Sequence, residues 1–242
     1  MDLGIAGRVA LVTAASKGLG RACALALAQE GVKVVICARG EEALRATEAE
    51  LSAITEVEAI VADATDPAVP AALVARAVER FGGLHVLVAN AGGPPPGRSL
   101  DLTDDQLADA LNSNLLTSVR LVRESVPHMR TAGWGRICLI TSDSIKKPIP
   151  TLALSNTGRT GLWAWAKSAA TDIAEDGITL NTVCPGLHAT DRIKDLGFAK
   201  PGEAIGDPAD FGRVVTFLCS EPAKYVNGAA LLVDGGRFPG LF

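Results

Sequence analysis

RVALVTAASKGLGRACALALAQEGVKVVICAR, residues 8–39, is an apolar run, a turn of small residues, a segment of helical period and a second apolar run. That order is a βαβ unit. In the turn, Thr13-Ala14-Ala15-Ser16-Lys17-Gly18-Leu19-Gly20, two glycines stand where side chains would keep a phosphate off the backbone. The helix it opens offers unpaired N–H groups and the positive end of its dipole. Strand, glycine turn and helix in that order predict a site for a nucleotide pyrophosphate, which a glycine pair alone would not.

The composition fits one such domain. With 242 residues, 48% hydrophobic and 21% charged, the chain can fill a large α/β core and is excluded from the disordered class. A net charge of −4 gives no long-range attraction to nucleic acid, so a small-molecule partner is expected. Cys23, Cys37, Cys138, Cys184 and Cys219 are odd in number, widely spaced and mostly within apolar runs. They read as reduced core thiols, with no disulfide or metal site, and so point to the cytoplasm. The N-terminus lacks a signal-peptide pattern and no apolar run reaches membrane-spanning length, so no membrane association is expected.

Strand and helix patterns then alternate. The second strand, Val32 to Ala38, ends at Arg39, where a dinucleotide fold meets the adenosine ribose. An acid there would accept from a ribose 2′-hydroxyl, whereas Arg39, helped by Lys17, would attract a 2′-phosphate, which favours NADP over NAD. A third strand ends in Asp63, suited either to an adenine amino group or to capping a turn. Asp66 and Pro67 read as N-cap and first residue of the next helix, which ends at Gly82-Gly83. The fourth strand stops at Asn90-Ala91-Gly92-Gly93 and is followed by Pro94-Pro95-Pro96-Gly97, a stiff wall for one side of a pocket. His85, early in that strand, reads as structural. Thr103 and Gln106 form a capping box for a long helix to about Arg130 that carries Asn112 and Asn114 in its middle, where asparagine invites a functional explanation. The fifth strand, Arg136 to Thr141, is followed by Ser142-Asp143-Ser144.

On these motifs the chain resembles the short-chain dehydrogenase/reductase family, in its 3-oxoacyl-(acyl carrier protein) reductase-like form, over essentially its whole length. The matching residues are TAASKGLG at 13–20, ANAG at 89–92, Asn114, Ser142, NTVCPG at 181–186 with Thr190, and VDGG at 233–236. The resemblance implies a single Rossmann-type domain over residues 1–242: a doubly wound, parallel, seven-stranded sheet with helices on both faces. It further implies a homotetramer or homodimer and an NADP(H) site. That site comprises Thr13, Ser16, Lys17, Gly18, Leu19, Arg39, Asp63, Ala64, Asn90, Ala91, Gly92, Arg159, Pro185, Gly186 and Thr190. The segment at about 187–206 becomes a substrate lid, whose Asp191, Arg192, Lys194, Asp195, Phe198 and Lys200 do not name a substrate. The helix bearing Trp163 and Trp165 packs either at a subunit interface or in the core.

Two departures limit what carries over. The family's turn begins Thr-Gly and this one has Ala14, a mild change if the backbone angle there is ordinary. The family's Tyr-x-x-x-Lys falls on Ser155-Asn156-Thr157-Gly158-Arg159. Residues i and i+4 share a helix face, so Ser155 and Arg159 still address one spot. Arg159 can hold ribose hydroxyls and supply charge but cannot cycle a proton, and Ser155 is a poor acid. The only tyrosine, Tyr225, is remote in sequence. Asn114, Ser142, Ser155 and Arg159 are therefore the expected catalytic set, and the proton source stays open among Ser155, His188, Asp143, Lys146, Lys147 and water. The expected activity is NADPH-dependent reduction of a ketone, 3-oxoacyl thioester or quinone-like carbonyl. The alternatives are a nucleotide-binding partner or sensor without turnover, and a non-redox acid/base enzyme.

Overall fold

A computed structural model of the protein describes residues 1–199, 202 and 204–241; Lys200, one of the expected lid residues, lies outside them. The strands are β1 (Val9–Thr13), β2 (Lys33–Ala38), β3 (Val57–Val61), β4 (Val86–Ala89), β5 (Gly135–Ile140), β6 (Ile178–Pro185) and β7 (Ala230–Val233). The helices are α1 (Gly18–Gln29), α2 (Glu41–Ser52), α3 (Val69–Phe81), α4 (Asp104–Leu111), α5 (Thr117–Ala132), α6 (Ala153–Asp172), α7 (Asp191–Leu196) and α8 (Pro208–Leu218). All seven strands lie parallel in one sheet, in the order β3-β2-β1-β4-β5-β6-β7, which is the expected Rossmann-type architecture.

Strands covered on both faces need no polar alternation, and β1, β2 and β5 are accordingly near-continuous apolar runs. Val12 and Val34 face α1, α2 and α8 through Leu27, Leu44 and Phe211. Leu11 and Val35 face α3, α5 and α6 through Leu73, Leu121 and Leu162. Strand order reverses between β1 and β4, so the turns leaving these two strands flank the crevice in which such sheets bind ligands.

Most local signals act where the sequence puts them. The Thr103–Gln106 capping box is complete, with bonds of 3.2 and 3.0 Å, and Gly82 ends α3 in the left-handed conformation. His85 is structural as expected, its Nδ1 accepting the Val9 N–H at 3.2 Å. Asp66, however, does not cap α3. Its carboxylate accepts the Ala68 N–H at 2.9 Å and its carbonyl the Val69 N–H at 3.1 Å, closing a turn, and α3 starts only at Val69 with Pro70 in its first turn. Pro70 has no N–H to leave unpaired there, so the later start sacrifices no bond. All five cysteines are buried and free. Among the described residues, no helix is long and apolar enough to cross a membrane, and no group of three His, Cys, Asp or Glu side chains is placed to hold a metal.

Candidate active site

The glycine turn leaving β1 is tied to the turn leaving β4. Thr13 Oγ1 donates to the Asn90 carbonyl at 2.7 Å and accepts the Asn90 N–H at 3.0 Å, while Asn90 Nδ2 donates to the Ala14 carbonyl at 3.3 Å. A Cβ on Gly20 would lie 2.4 Å from that same carbonyl, so α1 can start beside β1 only with glycine at 20. Ala14 pays for this geometry. Its φ is +47°, so the condition that made Ala14 a mild departure fails: the angle is left-handed, where a Cβ crowds the following carbonyl. Gly18, φ +58°, opens α1 beside the Thr190 methyl group. Lys17 is exposed at the helix's N-cap position, 3.9 Å from Asp191 at the start of α7. The Ser16 carbonyl accepts from the Thr47 hydroxyl at 3.1 Å, and Leu19 packs half-buried on the core.

At the end of β2 the exposed Arg39 guanidinium lies 3.7 Å from the Asp63 carboxylate. The acid missing from β2 is thus delivered by β3. Asp63 also accepts the Thr65 N–H at 3.0 Å and hydroxyl at 2.8 Å; these bonds, with Arg39, hold its carboxyl below the usual range. Of its two sequence readings, turn-capping is the one realised among protein groups. Ala64, next in the chain, packs half-buried on the core. A cleft of about 280 Å³ runs from Arg39 past Pro94 and Pro95 to Asn112 and Leu154. A larger one, about 340 Å³, lies on the flank of α1 against α8, reaching Gly18 and Thr190.

The predicted long helix is broken at Asn112–Leu116 by a π-turn, the kind of helix defect that collects at functional sites. Asn112 braces it, donating to the Thr65 carbonyl at 3.0 Å and accepting from Arg120 at 2.7 Å. Asn114 is 2% exposed; its Nδ2 donates to Ser113 Oγ at 2.8 Å and the Ala110 carbonyl at 3.3 Å, but its Oδ1 is buried with no protein partner. Such an acceptor is costly unless a water or ligand fills it. Gly158 admits α6 to this spot, since a Cβ there would come 3.1 Å from Asn114 Cβ.

From the same turns of α6, Arg159 reaches under the sheet's carboxyl edge. It donates through Nη1 to the carbonyls of Ile140 at 2.8 Å and Thr141 at 3.0 Å, and through Nη2 to that of Ala91 at 3.2 Å. Burial, and then the nearby Arg192 charge, push its pKa down to about 10, so it remains a cation at neutral pH. Three of its five N–H donors are occupied and two take no acceptor among the described residues. Ser155, buried one turn earlier, is 7% exposed. Ser142 Oγ accepts the Ser144 N–H at 3.1 Å and donates to Asp143 Oδ1 at 3.0 Å. Burial raises the Asp143 pKa above the ordinary carboxylate value, against the lowering pull of the Ser142 bond, and Asp234 adds to the rise.

The other candidates are placed less favourably. His188 is 4% exposed, with Nδ1 against the Gly186 carbonyl at 3.2 Å and its ring edge-on to Phe211, so it packs as core. Lys146 lies 4.6 Å over the Trp163 ring, and Lys147 is exposed. Pro185 ends β6, and the Gly186 N–H donates to Val233 at 3.0 Å, which ties the loop before Thr190 to β7. Sequence reading missed the reach of Arg192: its Nη2 donates to the Pro94 carbonyl at 2.6 Å, pinning α7 to the proline loop. It missed Ser113 as well, whose only signal was its place between the two asparagines.

The chain matches the family model described as enoyl-(acyl carrier protein) reductase over residues 13–237. It is 33% identical to dehydrogenase/reductase SDR family member 4 of Sus scrofa over 95% of this chain and 86% of that protein. The chain belongs to the short-chain dehydrogenase/reductase family. Versicolorin reductase 1 of Aspergillus parasiticus, another relative, is 32% identical over 96% of this chain and 97% of its own length. Among solved members, L-sorbose reductase of Gluconobacter frateurii, in complex with NADPH and L-sorbose, superposes with a TM-score of 0.93 at 30% identity over the whole of both chains. A 7α-hydroxysteroid dehydrogenase bound to NADH and a 7-oxo bile acid gives 0.93 at 26% identity, covering 100% of this chain and 98% of that one.

Proposed function

We propose that this protein is an NADPH-dependent reductase of a ketone, 3-oxoacyl thioester or quinone-like carbonyl, working with Ser142, Asp143, Ser155, Asn114 and Arg159 in place of the tyrosine–lysine pair. The residues present fit the cofactor. The left-handed turn at Ala14 and Gly18 and the start of α1 form a backbone cradle, and Gly92 leaves open space beside it. Arg39 is exposed for a 2′-phosphate, since an exposed ion pair such as Arg39–Asp63 holds by only about 0–1 kcal/mol. Arg159, with two N–H groups to spare, would hold the nicotinamide ribose.

When bound, the reduced nicotinamide supplies the hydride. The chain's own part is to steady the charge on the carbonyl oxygen and to deliver one proton to it. The observation that carries the reading is the Ser142–Asp143 bond, beside a buried cation and an unpartnered Asn114 Oδ1. Ser142 donates its hydroxyl proton to the substrate oxygen, and Asp143, the carboxyl 3.0 Å away whose burial favours its protonated form, replaces that proton. Arg159 stabilises negative charge on that oxygen, and Asn114 Oδ1 accepts from a water that orders the site.

The test is NADPH oxidation, followed by absorbance, with ketones, diketones, quinones and a 3-oxoacyl thioester, alongside calorimetry of cofactor binding. Tight NADPH binding with no oxidation by any of them would leave a nucleotide-binding protein and sink the reductase. We also infer a cytoplasmic homodimer or homotetramer, with α6 and its half-buried Trp163 and Trp165 at the interface; light scattering of the purified protein checks the assembly.

A further inference from the structure

We propose that Arg192 is a positioning residue, a latch that holds α7 across the mouth of the nucleotide crevice, so that NADP(H) enters and leaves only when its bond to Pro94 breaks. The proposal rests on the cofactor part of the reading above and not on turnover. The crevice lies between the turns leaving β1 and β4, and the start of α7 touches both. On the β1 side a Cβ on Gly18 would lie 3.5 Å from Thr190 Cγ2, and the Asp191 carboxylate lies 3.9 Å from Lys17 Nζ. On the β4 side Arg192 Nη2 donates to the Pro94 carbonyl at 2.6 Å. Three consecutive residues therefore bridge the two walls.

Little else holds α7 down. None of its six residues is buried, and a helix so short does not hold its own shape. The Lys17–Asp191 pair is exposed on both sides and shifts a closing equilibrium by about fivefold at most, whereas a hydrogen bond from a charged group shifts it by about tenfold or more. The loop is fixed at its base, where the Ala189 N–H donates to the Gly206 carbonyl and the Gly206 N–H to that of Leu187, both at 2.9 Å. Between this neck and Gly197, which ends α7 at a φ of +64°, Arg192 is the one side chain hydrogen-bonded to the β4 turn among the described residues.

The β4 wall is shaped to receive it. A Cβ at Gly93 would fall 2.9 Å from Arg192 Nη2, 3.0 Å from Nε and 3.2 Å from Cζ, so the guanidinium lies along bare backbone. The acceptor belongs to Pro94, the first of three prolines, and a stiff chain holds it in place. With α7 latched, the rate of cofactor entry scales with the fraction of protein that is open, and exit waits for the same opening. A latch that closes the empty and the loaded protein alike slows both rates and leaves affinity nearly unchanged. A side chain that touched the cofactor itself would change affinity.

The experiment is stopped-flow fluorescence of NADPH binding and release with the parent, Arg192→Ala, Arg192→Lys, Gly93→Ala and the Arg192→Ala/Gly93→Ala double variant. Arg192→Ala should raise kon and koff each by about tenfold, with Kd unchanged within about threefold, and Arg192→Lys should raise them less. Gly93→Ala, whose methyl group displaces the guanidinium, should raise both rates by itself and add nothing beside Arg192→Ala. Amide hydrogen exchange over residues 191–197 should quicken in the same variants without any cofactor. Rates and exchange that match the parent would overturn the latch and leave the cofactor reading standing. A rise in koff alone, with weaker Kd, would overturn it too, by making Arg192 a direct cofactor contact. The two single variants reach one contact from opposite walls, so either decides the matter if the other fails to fold. A parent that binds no nicotinamide nucleotide would overturn the cofactor reading and the latch together.

Discussion

Ser155→Tyr puts a phenol, of ordinary pKa near 10, one helical turn from a buried cation. Arg159, its pKa lowered to about 10, is still a cation at pH 7, so the new hydroxyl meets a positive charge that draws its pKa down. A positioned general acid is commonly worth about 10² to 10⁴ in rate. The ring must enter a site that is 7% exposed, in a helix packed closely enough that a Cβ at Gly158 would come 3.1 Å from Asn114, so part of that gain is lost to imperfect placement. Together with Arg159→Lys, at least about tenfold in kcat/KM for simple ketones is expected, and less for the tyrosine alone. The lysine has a stability consequence of its own. One ammonium cannot span the carbonyls of Ala91, Ile140 and Thr141 as the guanidinium fork does. Losing one charged hydrogen bond costs about 1.5–3 kcal/mol, a fall of about 3–12 °C in Tm for a chain of this length. The assay is steady-state NADPH oxidation for the parent, Ser155→Ala, Ser155→Tyr and the double variant, with thermal unfolding of each. A double variant that folds, binds NADPH and reduces ketones no faster than the parent would refute this reasoning.

Ala14→Gly removes about 1–2 kcal/mol of left-handed strain and gives back about 0.4–1 kcal/mol to the freer unfolded chain, so a net gain of about 1 kcal/mol in urea unfolding is expected. An unchanged or lower midpoint would show that the turn is not strained. Arg39→Asp should reverse a preference for NADPH over NADH, measured as Kd; equal affinities in the parent would remove the 2′-phosphate assignment. If Asp143 feeds Ser142, it must be protonated to donate, so kcat should fall as pH rises through its raised pKa, and Asp143→Asn should cut the acid-side rate. The same shift has a stability sign: the folded state holds that proton more tightly than the unfolded chain, so stability falls with rising pH across the window between the two pKa values. Asp143→Asn should flatten that slope in urea unfolding as pH rises above the ordinary carboxylate value.

The order of parts was legible because it is local. Apolar runs, the glycine turn, the Thr103–Gln106 box and the i, i+4 spacing of Ser155 and Arg159 are patterns within a few residues, and the interactions that read them act over the same range. The start of α3 slipped because Asp66-Pro67 and Val69-Pro70 offer competing local solutions, and only packing chose between them. What the tertiary structure alone decided depends on groups that carry no sequence signal. Arg159 is fixed by three backbone carbonyls from two different strand ends, Arg192 by a fourth lying 98 residues away, and any residue type would supply them. Asp63 meets Arg39 only because β2 and β3 are neighbours in the sheet. Ala14 is held at a positive φ by Asn90 and by the close approach of Gly20, so its strain belongs to the crossing of β1, β4 and α1 rather than to alanine. The orphaned Asn114 Oδ1 exists because a π-turn and Gly158 of a distant helix enclose it together, which no reading of residues 112–116 by themselves contains.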